Sequence, residues 1–264
     1  VIVNAAGCFT LSVIYPFSPF DGSWLYAAMA CAPAGAQGVR DAIDILKEKG
    51  RRDAKDDLQV VVITGDGAAS SIGLQSTLTA IHRGLDFWYL CYDNQAFMNT
   101  GAQQSDTTPF SAVTSTSKPT GMKPIGVEEE AMDLFSIWNS MKPRYLATVS
   151  ISHPIDFLNK VQAAHRLNGP KLFIAFSPCP PGWDFNASRT LKLAKLAVET
   201  GVYPLKESVN GEVLHTYVPK RRLPVEKYLE TQGRFEYLFH PGRRENLIKH
   251  IQKKVNAYWE SLEK

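Results

Sequence analysis

Val61-Val62-Ile63-Thr64-Gly65-Asp66-Gly67 reads as a buried strand that breaks into a Gly-Asp-Gly turn. A second apolar run, residues 87–92, breaks into Asp93-Asn94-Gln95-Ala96-Phe97-Met98-Asn99-Thr100-Gly101, so Asn94 follows Asp66 by 28 residues. Each break presents oxygen ligands. A hard divalent cation such as Mg²⁺ takes near-octahedral oxygen coordination, commonly from one or two carboxylates, other protein oxygens and the phosphates of a bound cofactor. Asp66, the Asn94 side-chain amide and a nearby backbone carbonyl would supply the protein's share. Between the breaks, residues 70–83 read as a helix with Leu74, Leu78 and Ile81 on one face. Its N-terminus points into the same site, where a pyrophosphate is stabilised by free N–H groups and the helix dipole. Gly65 and Gly67 let the backbone close on that phosphate. Asp-Gly is also an ordinary turn signal, and a tight turn after a buried strand is the plainer reading of the first break alone.

Strand-like runs recur at residues 1–4, 58–64, 87–92, 145–151 and 171–177, β-branched or aromatic and largely continuous in apolar character. Parallel strands covered on both faces have that character. Helical patterns over 24–48, 73–83, 128–141 and 154–167 alternate with them, which predicts an α/β fold with a doubly wound, mostly parallel sheet. Ligands of such sheets bind beyond the carboxyl ends of the strands, where Gly7-Cys8, Gly65-Asp66-Gly67, Asp93-Asn94 and Pro178-Cys179 all fall. After a helix over 190–200, residues 201–244 lose periodicity and gain Pro, Gly and Arg. The expected organisation is an α/β domain over 1–200 and, over 201–264, an extended arm with an amphipathic helix (245–262) that packs on partner subunits. The Thr/Ser/Pro/Gly-rich segment 107–123 is either a flexible loop or a lid over the site.

With 264 residues, 44% hydrophobic and 21% charged, the chain can bury one substantial core. A net charge of +3 does not argue for nucleic acid, and Lys220-Arg221-Arg222 and Arg243-Arg244 read as solvated surface or a subunit contact. No run approaches the about 20 apolar residues of a membrane span, and nothing marks the chain for export, so a cytoplasmic location is expected. The four cysteines form no Cys-x-x-Cys pair. Cys91, inside a strand, and Cys31, inside the helical stretch, read as packing. Cys8 and Cys179 stand at strand ends, where their thiols either project from the carboxyl edge or are buried in a reducing compartment.

The Gly-Asp-Gly followed at this spacing by Asn resembles the diphosphate-binding motif of thiamine-diphosphate enzymes. Cys91-Tyr92-Asp93-Asn94, Met98-Asn99-Thr100-Gly101-Ala102-Gln103-Gln104-Ser105 and Thr108-Pro109-Phe110 are similar to the beta subunit of the pyruvate:ferredoxin oxidoreductase family. Val3-Asn4-Ala5-Ala6-Gly7-Cys8, Ser177-Pro178-Cys179-Pro180-Pro181-Gly182-Trp183 and Ala197-Val198-Glu199-Thr200-Gly201 extend the resemblance over nearly the whole chain. It implies thiamine diphosphate and Mg²⁺ held by Gly65, Asp66, Gly67, Asn94, the Ala96 carbonyl and Asn99, with Asn99 and Thr100 facing thiazolium and substrate. It implies that Cys8 and Cys179 each donate a thiolate to a [4Fe–4S] cluster. The other two ligands come, in the family, from a Cys-x-x-Cys upstream of the position at which this sequence opens with Val1, so the expectation is a fragment or a missing upstream segment.

The implied reaction is oxidative decarboxylation of a small 2-oxoacid, pyruvate first, with electrons leaving singly through [4Fe–4S] clusters to ferredoxin and coenzyme A taking up the acyl group. No Ser/His/Asp or Cys/His constellation is apparent, and His82 and His153 read as solvent-facing or capping residues. In the family the activating glutamate comes from the alpha subunit. The resemblance therefore implies alpha and ferredoxin-like gamma and delta partners, and a chain inactive by itself. Tyr15-Pro16-Phe17-Ser18-Pro19-Phe20-Asp21-Gly22-Ser23-Trp24 departs from the pyruvate-type pattern, which leaves a related acid such as oxalate open. A different thiamine-diphosphate decarboxylase or synthase subunit, and a non-catalytic assembly subunit, are the rival readings.

Overall fold

The computed structural model describes residues 1–262. Six strands run parallel, β2 and the five from the apolar runs: β1 (Ile2–Ala5), β2 (Trp24–Ala27), β3 (Val61–Gly65), β4 (Phe87–Asp93), β5 (Tyr145–Ser150) and β6 (Pro170–Phe176). An antiparallel hairpin, β7 (Leu205–Val209) and β8 (Glu212–Tyr217), extends them into one eight-stranded sheet of order β2-β1-β3-β4-β6-β5-β7-β8. The four strand ends singled out by the sequence, those of β1, β3, β4 and β6, are consecutive neighbours in that order. Winding reverses between β1 and β3, the kind of switch point at which open α/β sheets open a ligand crevice.

The pleat explains how both faces are filled. In β4, Phe87, Tyr89, Cys91 and Asp93 are buried while Trp88, Leu90 and Tyr92 on the opposite face are half-buried. Phe87, Tyr89 and Cys91 face a core shared with α1 (Ala32–Glu48), α2 (Leu74–Arg83) and α3 (Leu134–Ser140). Trp88 and Leu90 pack against a smaller cluster under α4 (Pro154–His165). A third core joins Phe176 to α5 (Pro180–Trp183), α6 (Thr190–Glu199), α7 (Glu226–Leu229) and α8 (Glu245–Glu260).

Four expectations from the sequence need correction. Residues 24–27 form the edge strand β2, not the start of a helix: Trp24, Leu25 and Tyr26 suit a pleated edge, and the helix begins at Ala32, whose neighbour Pro33 is tolerated only in a first turn. Residues 128–133 are not helical, because Asp133 caps α3 by accepting from the Ser136 N–H at 3.0 Å. Residues 201–244 are not an extended arm throughout. Residues 205–217 complete the sheet, and Tyr228 and Phe235 are buried in the chain's own core, while Tyr217 stays 36% exposed. The lost periodicity there reflects short strands and single-turn helices, which leave no long repeat to read. Cys31 is likewise not helix packing; it stands exposed at the N-cap of α1. None of the described helices is long and apolar enough to cross a membrane.

Candidate active site at the carboxyl edge of the sheet

Asp66 leaves β3 directly into a π-helical turn, Gly67–Ile72, and α2 follows after Gly73, so the helical N-terminus begins at Asp66 itself, earlier than the periodicity indicates. Asp66 is fully buried. Its Oδ2 accepts from the Ser105 hydroxyl at 2.5 Å and the Thr107 hydroxyl at 3.0 Å, and its Oδ1 from the Asn94 N–H at 3.3 Å. Thr107 also lies 3.0 Å from Asp93 Oδ1. One hydroxyl hydrogen cannot serve both carboxylates at once. Burial pushes both carboxyls above the usual range, and the Asp66 charge pushes Asp93 further. Without a cation, the pair therefore favours holding one proton between its two members; a cation at Asp66 would restore its charge.

The Asn94 side-chain amide has two orientations of opposite meaning. With nitrogen turned inward it donates to Asp66 Oδ1 at 2.9 Å and to the Ala96 carbonyl at 2.8 Å. With oxygen inward, three oxygens converge at those same spacings and the outward amide nitrogen lies 4.0 Å from Cys8 Sγ. Three facing oxygens repel unless a cation stands among them. Adjacent ligands of Mg²⁺, each about 2.1 Å from the metal, are about 3.0 Å apart at octahedral angles, so the residues present fit that ion.

Gly65 and Gly67 form the floor beneath. A Cβ on Gly67 would stand 2.3 Å from the Phe97 ring, and one on Gly65 would stand 3.0 Å from the Tyr92 ring. Both glycines thus admit an aromatic ring where the sequence reading placed only a phosphate. The notch bounded by Gly7, Cys8, Gly65, Gly67, Asn94 and Asn99 encloses about 30 Å³. Small-molecule sites typically enclose about 300–1,000 Å³, so this notch by itself is too small to enclose such a ligand. Asn99 and Thr100, in the 3₁₀ turn Met98–Thr100, line the rim and are exposed. Cys8 and Cys179 are half-buried, each with its thiol pushed up by burial, and Cys91 is wholly buried inside β4.

The sequence assigned no role to several residues of this edge. Thr107 opens the stretch 107–123 that reads as a loop or a lid, and Ser105 just precedes it, yet Ser105, Thr107 and Thr108 are buried, and the Thr108 hydroxyl holds the Gln95 carbonyl at 2.7 Å. That stretch is anchored at its start, and its exposed part lies further along, around 118–124. Trp183 donates its indole N–H to the Asn94 carbonyl at 2.8 Å, and the Arg234 guanidinium stacks 3.6 Å from the Trp183 ring centroid. Arg234 lies 140 residues after Asn94, beyond any local pattern.

A doubly wound sheet with a phosphate-type floor and a converging oxygen set on its carboxyl edge defines a nucleotide-like cofactor domain. Residues 5–175 match the C-terminal TPP-binding domain of thiamine pyrophosphate enzymes, so the cofactor is thiamine diphosphate. The chain is 40% identical to pyruvate synthase subunit PorB of Methanocaldococcus jannaschii over 239 residues, 90% of this chain and 80% of that protein. It is 34% identical to ketoisovalerate oxidoreductase subunit VorB of Pyrococcus furiosus, over 100% of this chain and 83% of that one. A solved 2-oxoglutarate:ferredoxin oxidoreductase from Magnetococcus marinus shares the fold, with a TM-score of 0.57 at 21% identity over 95% of this chain and 81% of that one. The chain belongs to the family of 2-oxoacid:ferredoxin oxidoreductase beta subunits.

Proposed function

We propose that this chain carries the thiamine-diphosphate half of an enzyme that oxidatively decarboxylates a small 2-oxoacid, pyruvate or a close relative, and passes two electrons singly to ferredoxin. The observation that carries the reading is the carboxyl edge, where four adjacent strands present Cys8, Asp66, Asn94 and Cys179 in a row. Asp66, Asn94 Oδ1 and the Ala96 carbonyl would hold Mg²⁺ against the cofactor's diphosphate, with Gly65 and Gly67 beneath. Bound there, thiamine diphosphate supplies the electron sink that a 2-oxoacid needs to lose CO₂. Asn99 and Thr100 on the rim would orient the substrate by hydrogen bonds. Cys8 and Cys179 would each ligate a [4Fe–4S] cluster, a group held by four thiolates, so two more must come from elsewhere.

The relatives are named as subunits, and the small notch fits a cofactor shared with a second chain. Alpha and ferredoxin-like gamma and delta subunits would complete the complex, with coenzyme A as the acyl acceptor. Residues 201–264, continuous with the sheet and its third core, would reach a partner through the outer strand β8, which is largely exposed. Four free cysteines suit a reducing cytoplasmic setting. The test is 2-oxoacid-dependent reduction of ferredoxin by the purified complex, with pyruvate, 2-oxoisovalerate, 2-oxoglutarate and oxalate compared at saturating cofactor. Reduction with pyruvate or 2-oxoisovalerate is expected, and none with any of the four would refute the reading.

A further inference from the structure

We infer that Arg234 and Trp183 are positioning residues that set the metal-facing loop Asn94–Ala96 from the far end of the chain, an inference that rests on the Mg²⁺ reading above. Gln95 has a positive φ of 61°, a region that side-chain-bearing residues rarely adopt, and this turn is what aims the Asn94 amide and the Ala96 carbonyl at one point. Such a backbone persists only where its surroundings over-determine it. Beyond Asp66 and Asp93, which accept from the Asn94 and Gln95 N–H groups, three groups do so here. Trp183 donates to the Asn94 carbonyl at 2.8 Å, Thr108 donates to the Gln95 carbonyl at 2.7 Å, and Arg234 Nη2 donates to the Gln95 side-chain oxygen at 2.7 Å.

Arg234 is itself held rigid. It is 4% exposed, its Nε donates to Gln232 at 2.9 Å, its Nη2 lies 3.3 Å from the Tyr228 hydroxyl, and its guanidinium carbon sits 3.6 Å from the Trp183 ring centroid. Trp183 closes the turn that begins at Cys179, its N–H bonded to the Cys179 carbonyl at 2.9 Å. The metal loop and the Cys179 turn are thereby parts of one packed unit, keyed by an arginine that touches neither metal nor substrate. Residues behind a metal site commonly set its affinity through the ligands they orient.

The experiment uses the assembled complex, stripped of Mg²⁺ and cofactor, with thiamine-diphosphate binding followed by circular dichroism as Mg²⁺ is titrated. Arg234→Met is expected to raise the Mg²⁺ concentration for half-saturation by about tenfold or more, the range typical of lost outer-shell support, and Arg234→Lys by less. Trp183→Phe keeps an aromatic ring beside the guanidinium while removing the indole donor and part of the ring volume, so it decides the matter if Arg234→Met fails to assemble; a severalfold rise is expected. In each variant excess Mg²⁺ should restore full cofactor binding, and the Michaelis constant for the 2-oxoacid at saturating Mg²⁺ should be unchanged. Half-saturation within twofold of the parent in the variants that assemble, or a loss that excess Mg²⁺ does not recover, overturns the inference. Asp66→Asn in parallel separates the two readings: if it leaves the Mg²⁺ titration unaltered, the metal assignment itself falls, whereas a response confined to Asp66→Asn removes only the role of Arg234 and Trp183.

Discussion

Gly67 has no room for a methyl group, because its Cβ would lie 2.3 Å from the Phe97 ring, which belongs to the same wall as Asn94 and Ala96. Gly67→Ala should lower stability by about 1–3 kcal/mol in chemical denaturation, the usual cost of overpacking. Shrinking the ring in Gly67→Ala/Phe97→Leu should recover part of that loss, since the two sites share one contact. A Gly67→Ala midpoint equal to the parent's would show that the ring moves freely. Asp66→Ala should keep the fold and abolish Mg²⁺-dependent thiamine-diphosphate binding, because the carboxylate's burial works against its charged form until a cation is present. Unchanged cofactor affinity by calorimetric titration would rule out the assignment. At this scale the sequence exposed Asp66 and Asn94 through strand-breaking turn chemistry. It could not expose Ser105 or Thr107, whose hydroxyls act only because folding brings them to Asp66.

Elements decide the fate of the cysteines. Cys91 lies inside β4 with no exposed surface, whereas Cys179 caps the short helix α5 that turns away from β6 at the carboxyl edge. In the assembled complex, Cys179→Ser should lower iron content and electron transfer to ferredoxin. Cys91→Ser should keep both and lose only about 1–3 kcal/mol of stability from a buried hydroxyl. Iron analysis beside a denaturation curve separates the outcomes, and equal iron in Cys179→Ser and the parent would detach this chain from the cluster. The five apolar runs read as strands all became strands of the sheet, since long β-branched stretches carry their own signal. The edge strand β2 and the hairpin β7–β8 did not announce themselves. Each is short and lacks an alternating burial pattern, and pairing with a neighbour, not local propensity, makes it a strand.

For the whole molecule, the proposed sharing of the site with a second chain predicts that the isolated chain is a poor catalyst. Purified alone it should show no turnover of any 2-oxoacid, and the alpha subunit should restore activity; turnover by the lone chain would end the shared-site reading. The segment after Cys8 leaves Leu11, Tyr15 and Phe17 exposed at 64%, 95% and 68%, beside the notch. Apolar surface of that kind near a half-formed site is expected to be covered on assembly. Hydrogen–deuterium exchange over residues 9–20 should therefore slow in the complex, and exchange as fast as in the free chain would place the contact elsewhere.

The sequence by itself determined the fold class, the parallel core of the sheet and the edge on which the site lies, because hydrophobic period, strand-end glycines and the Asp66–Asn94 spacing are local properties of the chain. Only the tertiary structure decided how that edge is finished. Strand order made β1, β3, β4 and β6 neighbours, and folding carried Thr107 to Asp66, and Trp183 and Arg234 to the Asn94–Ala96 loop, across long stretches of sequence. These are long-range pairings fixed by packing and by satisfying buried polar groups, and no local pattern in a single chain encodes which partners will meet.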